Sequence, residues 1–332
     1  IEGAKKDYPN ITKIIIYTNQ NWTQGKNQND PQQKIDIDNK AKELGIQIDW
    51  DHLANFFESA FVSIENEVIA KHFFSLDKSI FDLIKDQQAH SENILNEIQT
   101  NIVFNGRDIK VDRNNILEKI RTSQEKVLIL SGEGGVGKTA IIKNFYEEVK
   151  DQVPFYIFKA PEFELRNISE FFTGYSLQEF LDGHKDESDK IIVIDSAEKL
   201  LDLKNPDPFK EFLSVIVKKN WKVIFTTRDN YLEDLNYQFF EIYKIAPLNI
   251  NIQNLEAQEI DKLSTSNDFS LPADEKLLDR IRNPFYLSEY LKFYKEGEQI
   301  NYTDFKDKLW NKTIIKSKPA REQCFLKIAF QR

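Results

Sequence analysis

The sequence contains no methionine and a single cysteine, Cys324, in 332 residues. One cysteine excludes a disulfide framework and a metal site built from several thiolates. No apolar run approaches the roughly 20 residues that a membrane-spanning helix needs. The N-terminus also lacks the basic and apolar regions of a signal peptide. These absences favour a protein that acts in the cytoplasm and has no membrane partner.

Methionine is missing even from the first position, which is Ile1. This absence fits either an internal fragment of unusual composition or a sequence from which modified methionines are missing. Contiguous motifs are intact in both cases. The chain also lacks excess positive charge, since its net charge is -9. Nucleic-acid binding depends on a basic surface, so we do not expect this chain to bind nucleic acid directly.

Glycine is scarce and unevenly distributed, with four of the 11 glycines lying between Gly132 and Gly137. They belong to KVLILSGEGGVGKT at 126–139, an apolar run followed by a glycine cluster. The spacing from Gly132 through Gly137 to Lys138 and Thr139 is G-x-x-x-x-G-K-[ST], the loop that binds phosphate between a strand and a helix. An ordinary strand-to-helix turn is the alternative. The apolar strand before the loop and the helical pattern after it favour the phosphate-binding loop.

Each residue type in this loop has a physical role in binding phosphate. Glycines let several backbone N–H groups converge on phosphate oxygens, and the following helix directs its positive dipole end there. Lys138 is expected to reach the β- and γ-phosphates of ATP or ADP, and Thr139 to bind Mg²⁺. The predicted cofactor-binding residues of the loop are Gly132, Glu133, Gly134, Gly135, Val136, Gly137, Lys138, Thr139 and Ala140.

A second candidate motif is the apolar run 191–194 followed by Asp195. A buried strand that ends in an acid places a carboxylate at the carboxyl edge of a sheet, where it can bind Mg²⁺ together with Thr139. Glu198 follows three residues later and could polarise the attacking water. A helix cap is the alternative role for an acid at this place.

Two further motifs carry candidate site residues. Arg228 follows a predicted strand and could neutralise charge on the γ-phosphate, although a surface arginine at a strand end is the alternative. The triplet Asn283-Pro284-Phe285 interrupts a helical region and could offer an apolar surface to a base, or it could simply mark a helix boundary. The predicted catalytic residues are therefore Lys138, Asp195, Glu198 and Arg228.

The order of the periodic segments predicts an α/β protein with a doubly wound parallel sheet. Strands are expected at 13–18, 46–50, 126–131, 154–160, 190–195, 221–226 and 241–248, and Asn105-Gly106 predicts a hairpin turn. We predict the end of an α/β domain at 1–50, a helical linker with the hairpin at 51–110, a P-loop nucleotide-binding domain at 111–247 and a helical lid at 248–332.

The motifs GEGGVGKT, IIVIDSAE, VIFTTRD and NPFYL occur in an order and spacing that resembles the STAND class of signal-transducing P-loop ATPases, which contains the NACHT and NB-ARC switch proteins. The resemblance implies that Lys138 and Thr139 bind phosphate and Mg²⁺, and that Arg228 senses the γ-phosphate. It also implies that Pro284 packs near adenine. Arg113 in VDR is similar to the arginine of these proteins that lies near the base.

The sequence departs from this class in two ways. A single Glu198 replaces the run of acids that often follows the first aspartate, so we expect slow hydrolysis. No histidine follows His184, and we expect the chain to end before the winged-helix and sensor domains of the class. The segment IIIYTNQNW through IQIDW resembles the last strands of restriction-endonuclease-like effector domains. The acids of such a nuclease are not recognisable, so we predict no nuclease site in this chain.

The resemblance as a whole implies an ATP-dependent switch like the central region of bacterial antiviral STAND (Avs-type) proteins. Exchange of ADP for ATP would favour a homo-oligomer, and a trigger such as a phage protein would bind domains outside this chain. The alternatives are an AAA-type motor or loader acting on DNA, and a module that holds nucleotide without hydrolysis. A basic run around Trp310, from Lys306 to Arg321, could meet nucleic acid, but a solvated helix face is the favoured interpretation.

Overall fold

The computed structural model describes residues 1–18, 32–52 and 80–316. The chain divides into two compact units, Ile1–Asp82 and Leu83–Arg332. The domain boundaries predicted at 50, 110 and 247 stay predictions. The part of the predicted linker at 53–79 and the basic positions Lys318 and Arg321 lie outside the described residues.

The first unit contains two helices and two strands in its described part. Helix α1 is Glu2–Asp7, strand β1 is Lys13–Thr18, helix α2 is Gln32–Glu43 and strand β2 is Gln47–His52. The two strands pair in parallel, from Lys13 opposite Gln47 to Thr18 opposite His52. Parallel neighbours need a crossover connection, which contains α2 here. The strand, helix and strand predicted for this piece are therefore confirmed.

The remaining helices and strands of the described chain follow in order. They are α3 Ile80–Asn96, β3 Ile102–Phe104, β4 Arg107–Ile109, α4 Asn114–Thr122, β5 Val127–Gly132, α5 Lys138–Val149, β6 Phe155–Lys159, α6 Leu177–Asp182, β7 Ile191–Asp195, α7 Asp207–Lys218, β8 Lys222–Thr227, α8 Leu232–Gln238, β9 Leu248–Ile252, α9 Ala257–Ser266, α10 Glu275–Ile281, α11 Pro284–Phe293 and α12 Tyr302–Trp310. None of the helices in these described ranges is both long and apolar enough to cross a membrane.

Five strands form one parallel sheet in the order β6-β7-β8-β5-β9. All six residues of β5 are buried, because the sheet is covered on both faces. Alternate residues of the strand face opposite ways, so Val127 and Ile129 join one hydrophobic core while Leu128 and Leu130 join the other. The predicted doubly wound α/β fold is confirmed.

The strand order decides which loops can meet. Strand β8 lies between β5 and β7, so the segments that follow these three strands emerge side by side at the carboxyl edge of the sheet. In an open parallel sheet this edge is where ligands bind. The loop after Gly132, the segment after Asp195 and the segment after Thr227 are therefore neighbours.

One predicted strand is wrong. Residues 241–248 were expected to form the fourth strand after the loop, but Phe239–Tyr243 is a short π-helix and the strand begins at Leu248. The nearly continuous apolar run in EIYKIAPL is typical of a strand in a sheet covered on both faces. The side chains instead follow a helical spacing, since Phe239 and Tyr243, four residues apart, stack edge to face at 5.4 Å. The sheet consequently extends to Ile252.

A third hydrophobic cluster joins the hairpin to the C-terminal helices α9 to α12. These helices lie in the segment predicted to be a helical lid and are called the lid below. The turn residues Asn105 and Gly106 have φ angles of 48° and 73°, as a two-residue hairpin turn requires. Strands β3 and β4 bury Ile102, Phe104 and Ile109 against lid residues that include Leu277, Ile281, Leu287 and Tyr290. The hairpin and the lid are therefore packed together beside the sheet.

Candidate functional site

The glycine-rich loop joins the end of β5 to the start of α5. Gly135 and Gly137 have φ angles of 90° and 95°, a left-handed region that favours glycine, and Gly137 is the N-cap of α5. A Cβ atom on Gly132 would lie 2.6 Å from the carbonyl oxygen of Ile252, so this position has no room for a side chain. The loop thus folds back at the N-terminus of a helix, where backbone N–H groups can receive an anion.

The Lys138 side chain folds back over the first residues of this loop. Its Nζ donates to the carbonyl oxygens of Gly132 at 2.7 Å and Glu133 at 3.0 Å. Burial lowers the pKa of Lys138, and the nearby carboxylates of Asp229 and Glu198 act in the opposite direction. A cation in this position can contact phosphate oxygens bound by the loop.

Asp195 ends β7 beside the first turn of α5. Its Oδ1 accepts hydrogen bonds from Thr139 Oγ1 at 3.3 Å and from Thr226 Oγ1 at 2.5 Å. The next residue, Ser196, has a φ of 59°, and its backbone N–H donates to Thr226 Oγ1 at 3.1 Å. The structure therefore brings together Thr139 and Asp195, the two residues predicted to bind a metal ion.

Glu198 and Arg228 lie next to each other, close to the loop. The Glu198 side chain is 10% exposed, and its Oε1 lies 3.8 Å from Arg228 Nε, whereas the Arg228 side chain is 62% exposed. Thr227 Oγ1 donates to Glu198 Oε2 at 3.4 Å. A Cβ atom on Gly134 would lie 4.0 Å from Arg228 Nε. Arg228 consequently lies near both the loop and the acid that is predicted to activate water.

A cavity of about 350 Å³ opens beside the loop. One wall is residues 135–141 with Asn144, a second is Pro284, Phe285 and Ser288 of the lid, and a third is residues 98–102 with Val111 and Arg113. The volume lies within the range of roughly 300–1,000 Å³ that is typical of small-molecule sites. Two larger cavities of the described residues, about 450 and 720 Å³, lie toward the amino ends of the strands and away from the loop.

Arg113 occupies the third wall of this cavity. Its Nη2 donates to the carbonyl oxygen of Gln253 at 3.0 Å, and burial lowers its pKa while Glu259 and Asp112 raise it. Its Nε has no hydrogen-bond partner within the described residues. Both Arg113 and Pro284 therefore line the same cavity as the loop, where the family resemblance would place the base.

The lid contacts the loop directly. Asn283 Nδ2 donates to the Gly134 carbonyl oxygen at 3.0 Å, and the Phe285 N–H donates to the Gly135 carbonyl oxygen at 3.2 Å. Asn283 also caps α11, because its Oδ1 accepts from the Phe285 N–H at 3.1 Å. A Cβ atom on Gly135 would lie 2.7 Å from both Asn283 Oδ1 and Phe285 Cβ. The glycine at this position thus permits the close approach of the lid.

The sequence prediction missed several residues of the site. Asp229 lies near Lys138, while Asn254 and Arg280 bond to the side chain of Glu133. Asp229 stands next to a predicted residue, so its position gave some signal. Asn254 and Arg280 lie 121 and 147 residues from Glu133 along the chain, and no local pattern relates them to the loop.

Residues 128–243 match the model of a protein family described as "ATPase family associated with various cellular activities (AAA)". This part of the chain is an AAA-type P-loop ATPase domain. The match agrees with the loop, the paired Thr139 and Asp195, and the five-stranded parallel sheet described above. The prediction that the chain is a P-loop ATPase is confirmed.

Solved structures of related fold include the Walker-type ATPase of Pyrococcus abyssi, at 16% identity, with 71% of this chain and 80% of that chain covered and a TM-score of 0.46. AMPPCP-bound DnaA from Aquifex aeolicus is 16% identical, with 55% and 62% covered and a TM-score of 0.39. The ORC1 protein of Aeropyrum pernix, in complex with DNA, is 14% identical, with 59% and 63% covered and a TM-score of 0.38. No curated protein matches the sequence. At 14–16% identity, these similarities concern the fold alone.

Proposed function

We propose that the chain couples ATP binding and hydrolysis to the docking of its lid on the phosphate loop. The observation that carries this proposal is the pair of hydrogen bonds from Asn283 and Phe285 to the carbonyl oxygens of Gly134 and Gly135. The loop that would bind the phosphates is the same loop that receives the lid. A ligand can shift a conformational equilibrium only through contacts that differ between the two states. Contacts between bound phosphates and a loop that also holds the lid would be of this kind.

Different residues of the site would have different roles in hydrolysis. Lys138 and the loop N–H groups would bind the phosphates. Thr139 and Asp195 offer oxygen ligands of the kind that Mg²⁺ prefers, with their side-chain oxygens 3.3 Å apart, so they would hold the ion. Mg²⁺ would supply neutralisation of the phosphate charge. Glu198 would accept a proton from water, and Arg228 would leave Glu198 for the γ-phosphate, which makes the Glu198–Arg228 contact sensitive to the bound nucleotide.

Two candidate processes could use this cycle. The first is an AAA-type motor or loader that acts on DNA, and the match of residues 128–243 to the AAA family supports its AAA-type ATPase part. The net charge of -9 does not favour DNA binding by the protein surface as a whole. A local basic face or a partner protein would have to make the contact with DNA.

The second candidate is a STAND-type switch in bacterial antiviral defence. It is supported by the NPFYL segment, whose Asn283 and Phe285 contact the loop that the resemblance to this class predicts to be the nucleotide site. In this candidate, exchange of ADP for ATP would release the lid and allow a homo-oligomer to form in the cytoplasm. The trigger, such as a phage protein, would bind domains outside this chain.

Nucleotide content and turnover distinguish the two candidates. The purified chain is denatured, the released nucleotide is identified, and ATP hydrolysis is then measured with and without double-stranded DNA. Turnover that rises with DNA, from a site initially free of nucleotide, supports the motor or loader. Tightly held ADP with slow turnover that DNA does not change supports the switch. A chain that neither holds nor hydrolyses ATP contradicts both.

A Glu198→Gln variant tests the chemistry itself. The amide keeps the size of the side chain but cannot accept a proton from water, so we expect hydrolysis to fall by about 10²–10⁴-fold. Binding of ATP should stay within about threefold of the wild type, because Glu198 is expected to contact water rather than the phosphates. Equal hydrolysis by the variant and the wild type would remove Glu198 from the mechanism. Glu187→Gln, at the opposite end of the sheet, is the matched control.

A further inference from the structure

Glu133 occupies a position of the loop that the phosphate-binding pattern leaves open to any residue. Its side chain nevertheless uses both carboxylate oxygens. Oε1 accepts from Arg280 Nη1 at 3.2 Å, and Oε2 accepts from Asn254 Nδ2 at 3.0 Å. Asn254 precedes helix α9 and Arg280 lies in helix α10, so Glu133 bonds to one residue just before the lid helices and to one within them.

Arg280 continues this connection into the helix that docks on the loop. Its guanidinium carbon lies 3.9 Å from the centre of the Tyr286 ring, and its Nη2 donates to the Tyr286 hydroxyl. Tyr286 belongs to α11, the helix whose first residues, with Asn283, bond to the carbonyl oxygens of Gly134 and Gly135. The contacts from Glu133 through Arg280 to Tyr286 therefore run beside the backbone contacts between loop and lid.

The ion pair between Glu133 and Arg280 is exposed enough to form and break in the folded chain. The side chains of Glu133 and Arg280 are 43% and 40% exposed, so water can replace either partner. An ion pair of this exposure is weak on its own and can break without unfolding the chain. Its position matters because Glu133 belongs to the loop whose residues 135–141 line the cavity. Arg280 contacts Tyr286, which adjoins the cavity-lining residues Pro284 and Phe285.

We propose that Glu133 is a positioning residue that holds the lid against the loop through Arg280, and that this contact slows nucleotide release. The inference rests on the proposed coupling of nucleotide and lid. It makes a prediction opposite in sign to simple electrostatics. A carboxylate beside bound phosphates repels them, so its removal by itself should slow release. Removal of a contact that holds the lid should speed release.

The test is the dissociation rate of a fluorescent ADP analogue from the full chain, measured by stopped flow with excess unlabelled ADP as competitor. Four proteins are compared: wild type, Glu133→Gln, Arg280→Gln and the double variant. We expect each single variant to release ADP about five- to tenfold faster. The double variant should be no faster than Arg280→Gln, because both substitutions remove the same Glu133–Arg280 contact. Arg280→Lys, which keeps the charge but loses the planar stacking, should fall between wild type and Arg280→Gln.

Glu296→Gln is the matched control, since it removes one negative charge from an exposed position of the lid. It should leave the rate unchanged. Unchanged or slower release by Glu133→Gln, or additive effects of the two single variants, would overturn the inference while leaving the proposed function standing. If wild-type chain binds no ADP, the proposed function fails and this inference fails with it. Thermal unfolding without nucleotide should differ little among the variants, which separates a positioning role from a loss of fold.

Discussion

The two ends of the five-stranded sheet hold their polar side chains in different ways. At the carboxyl edge, Asp195 and Thr226 bond to each other beside the phosphate loop. At the amino edge, Tyr156 and His184 share a hydrogen bond of 2.8 Å within an aromatic cluster that includes Trp221. One group of polar residues faces a place where a ligand can bind, and the other is enclosed by hydrophobic side chains.

Burial has different consequences at the two ends. It lowers the pKa of His184 to about 4 and raises the pKa of Tyr156, so both side chains are neutral at pH 7. Burial also lowers the pKa of Lys138, but Asp229 and Glu198 counteract it there. Charged side chains at the carboxyl edge therefore stay available to a ligand, whereas the buried polar side chains at the amino edge are neutral and packed among hydrophobic residues. Variants at the two ends should therefore change different properties.

The largest effect is expected for Lys138→Ala. The substitution removes the ammonium group that would contact the phosphates, and loss of one such electrostatic contact typically lowers turnover by about 10²–10³-fold. Phosphate release from ATP measures this effect. Lys126→Ala, which loses a side-chain bond to Asn220, is the control at the amino end of β5 and should keep wild-type turnover. Turnover within threefold of wild type for Lys138→Ala would contradict the claim that the charges at the carboxyl edge act on a ligand.

The next effect is on stability and comes from His184. Its pKa is about 4 in the folded chain against 6.5 for an unburied histidine, so between these pH values only the unfolded chain binds the proton. Stability should therefore fall as the pH drops from 6.5 to 4, by up to about 3 kcal/mol from this residue. Urea unfolding across this range should show a flatter pH dependence for His184→Gln. Equal slopes for the variant and the wild type would show that His184 does not control acid stability.

A smaller effect is expected for Gly135→Ala, which tests the contact of the carboxyl edge with the lid. The new Cβ atom would lie 2.7 Å from Asn283 Oδ1, so the lid must move and ADP affinity should fall about tenfold, or about 1.4 kcal/mol. Gly297→Ala is the matched control, because Gly297 also has a positive φ, 79°, but has no atom within 4 Å of the added Cβ. Fluorescence titration of both variants separates the contact from backbone strain. Similar affinity losses for both would attribute the effect to strain alone.

The smallest effect is expected for Thr226→Val, which keeps the shape of the side chain and removes its hydroxyl. Asp195 loses one hydrogen bond and the Ser196 N–H loses its acceptor. We expect turnover to fall about fivefold, through a less well positioned Asp195, with a modest loss of stability of about 1 kcal/mol. Steady-state ATP hydrolysis and urea unfolding measure the two quantities. An unchanged turnover would show that Asp195 is positioned without Thr226.

The sequence was sufficient to predict the loop, the strand ending at Asp195 and the parallel sheet. These features depend on contiguous patterns, because a phosphate-binding loop needs glycines at fixed spacings and a sheet covered on both faces needs continuous apolar runs. The strand predicted at 241–248 was wrong because a short apolar run can satisfy both a strand and a helix. There the packing of Phe239 against Phe225, at a ring distance of 4.8 Å, selected the helical form.

The lid side of the site could not be predicted from the sequence. The contact between Glu133 and Arg280 joins residues 147 positions apart, and Asn283 meets Gly134 across 149 positions. Neither pair has a spacing that secondary structure imposes. Such contacts depend on how the lid packs against the sheet, and this packing is visible only in the folded chain.

The distance between the lid and the ATPase core in two nucleotide states shows whether nucleotide controls the docking of the lid. Spin labels at Glu211→Cys in α7 and Lys276→Cys in α10, in a Cys324→Ser background, report this distance by pulsed electron resonance. If nucleotide controls the docking of the lid, the distance distribution with ADP should differ clearly from the one with Mg²⁺ and a non-hydrolysable ATP analogue. The same distribution with both nucleotides would contradict the proposal that nucleotide controls the docking of the lid.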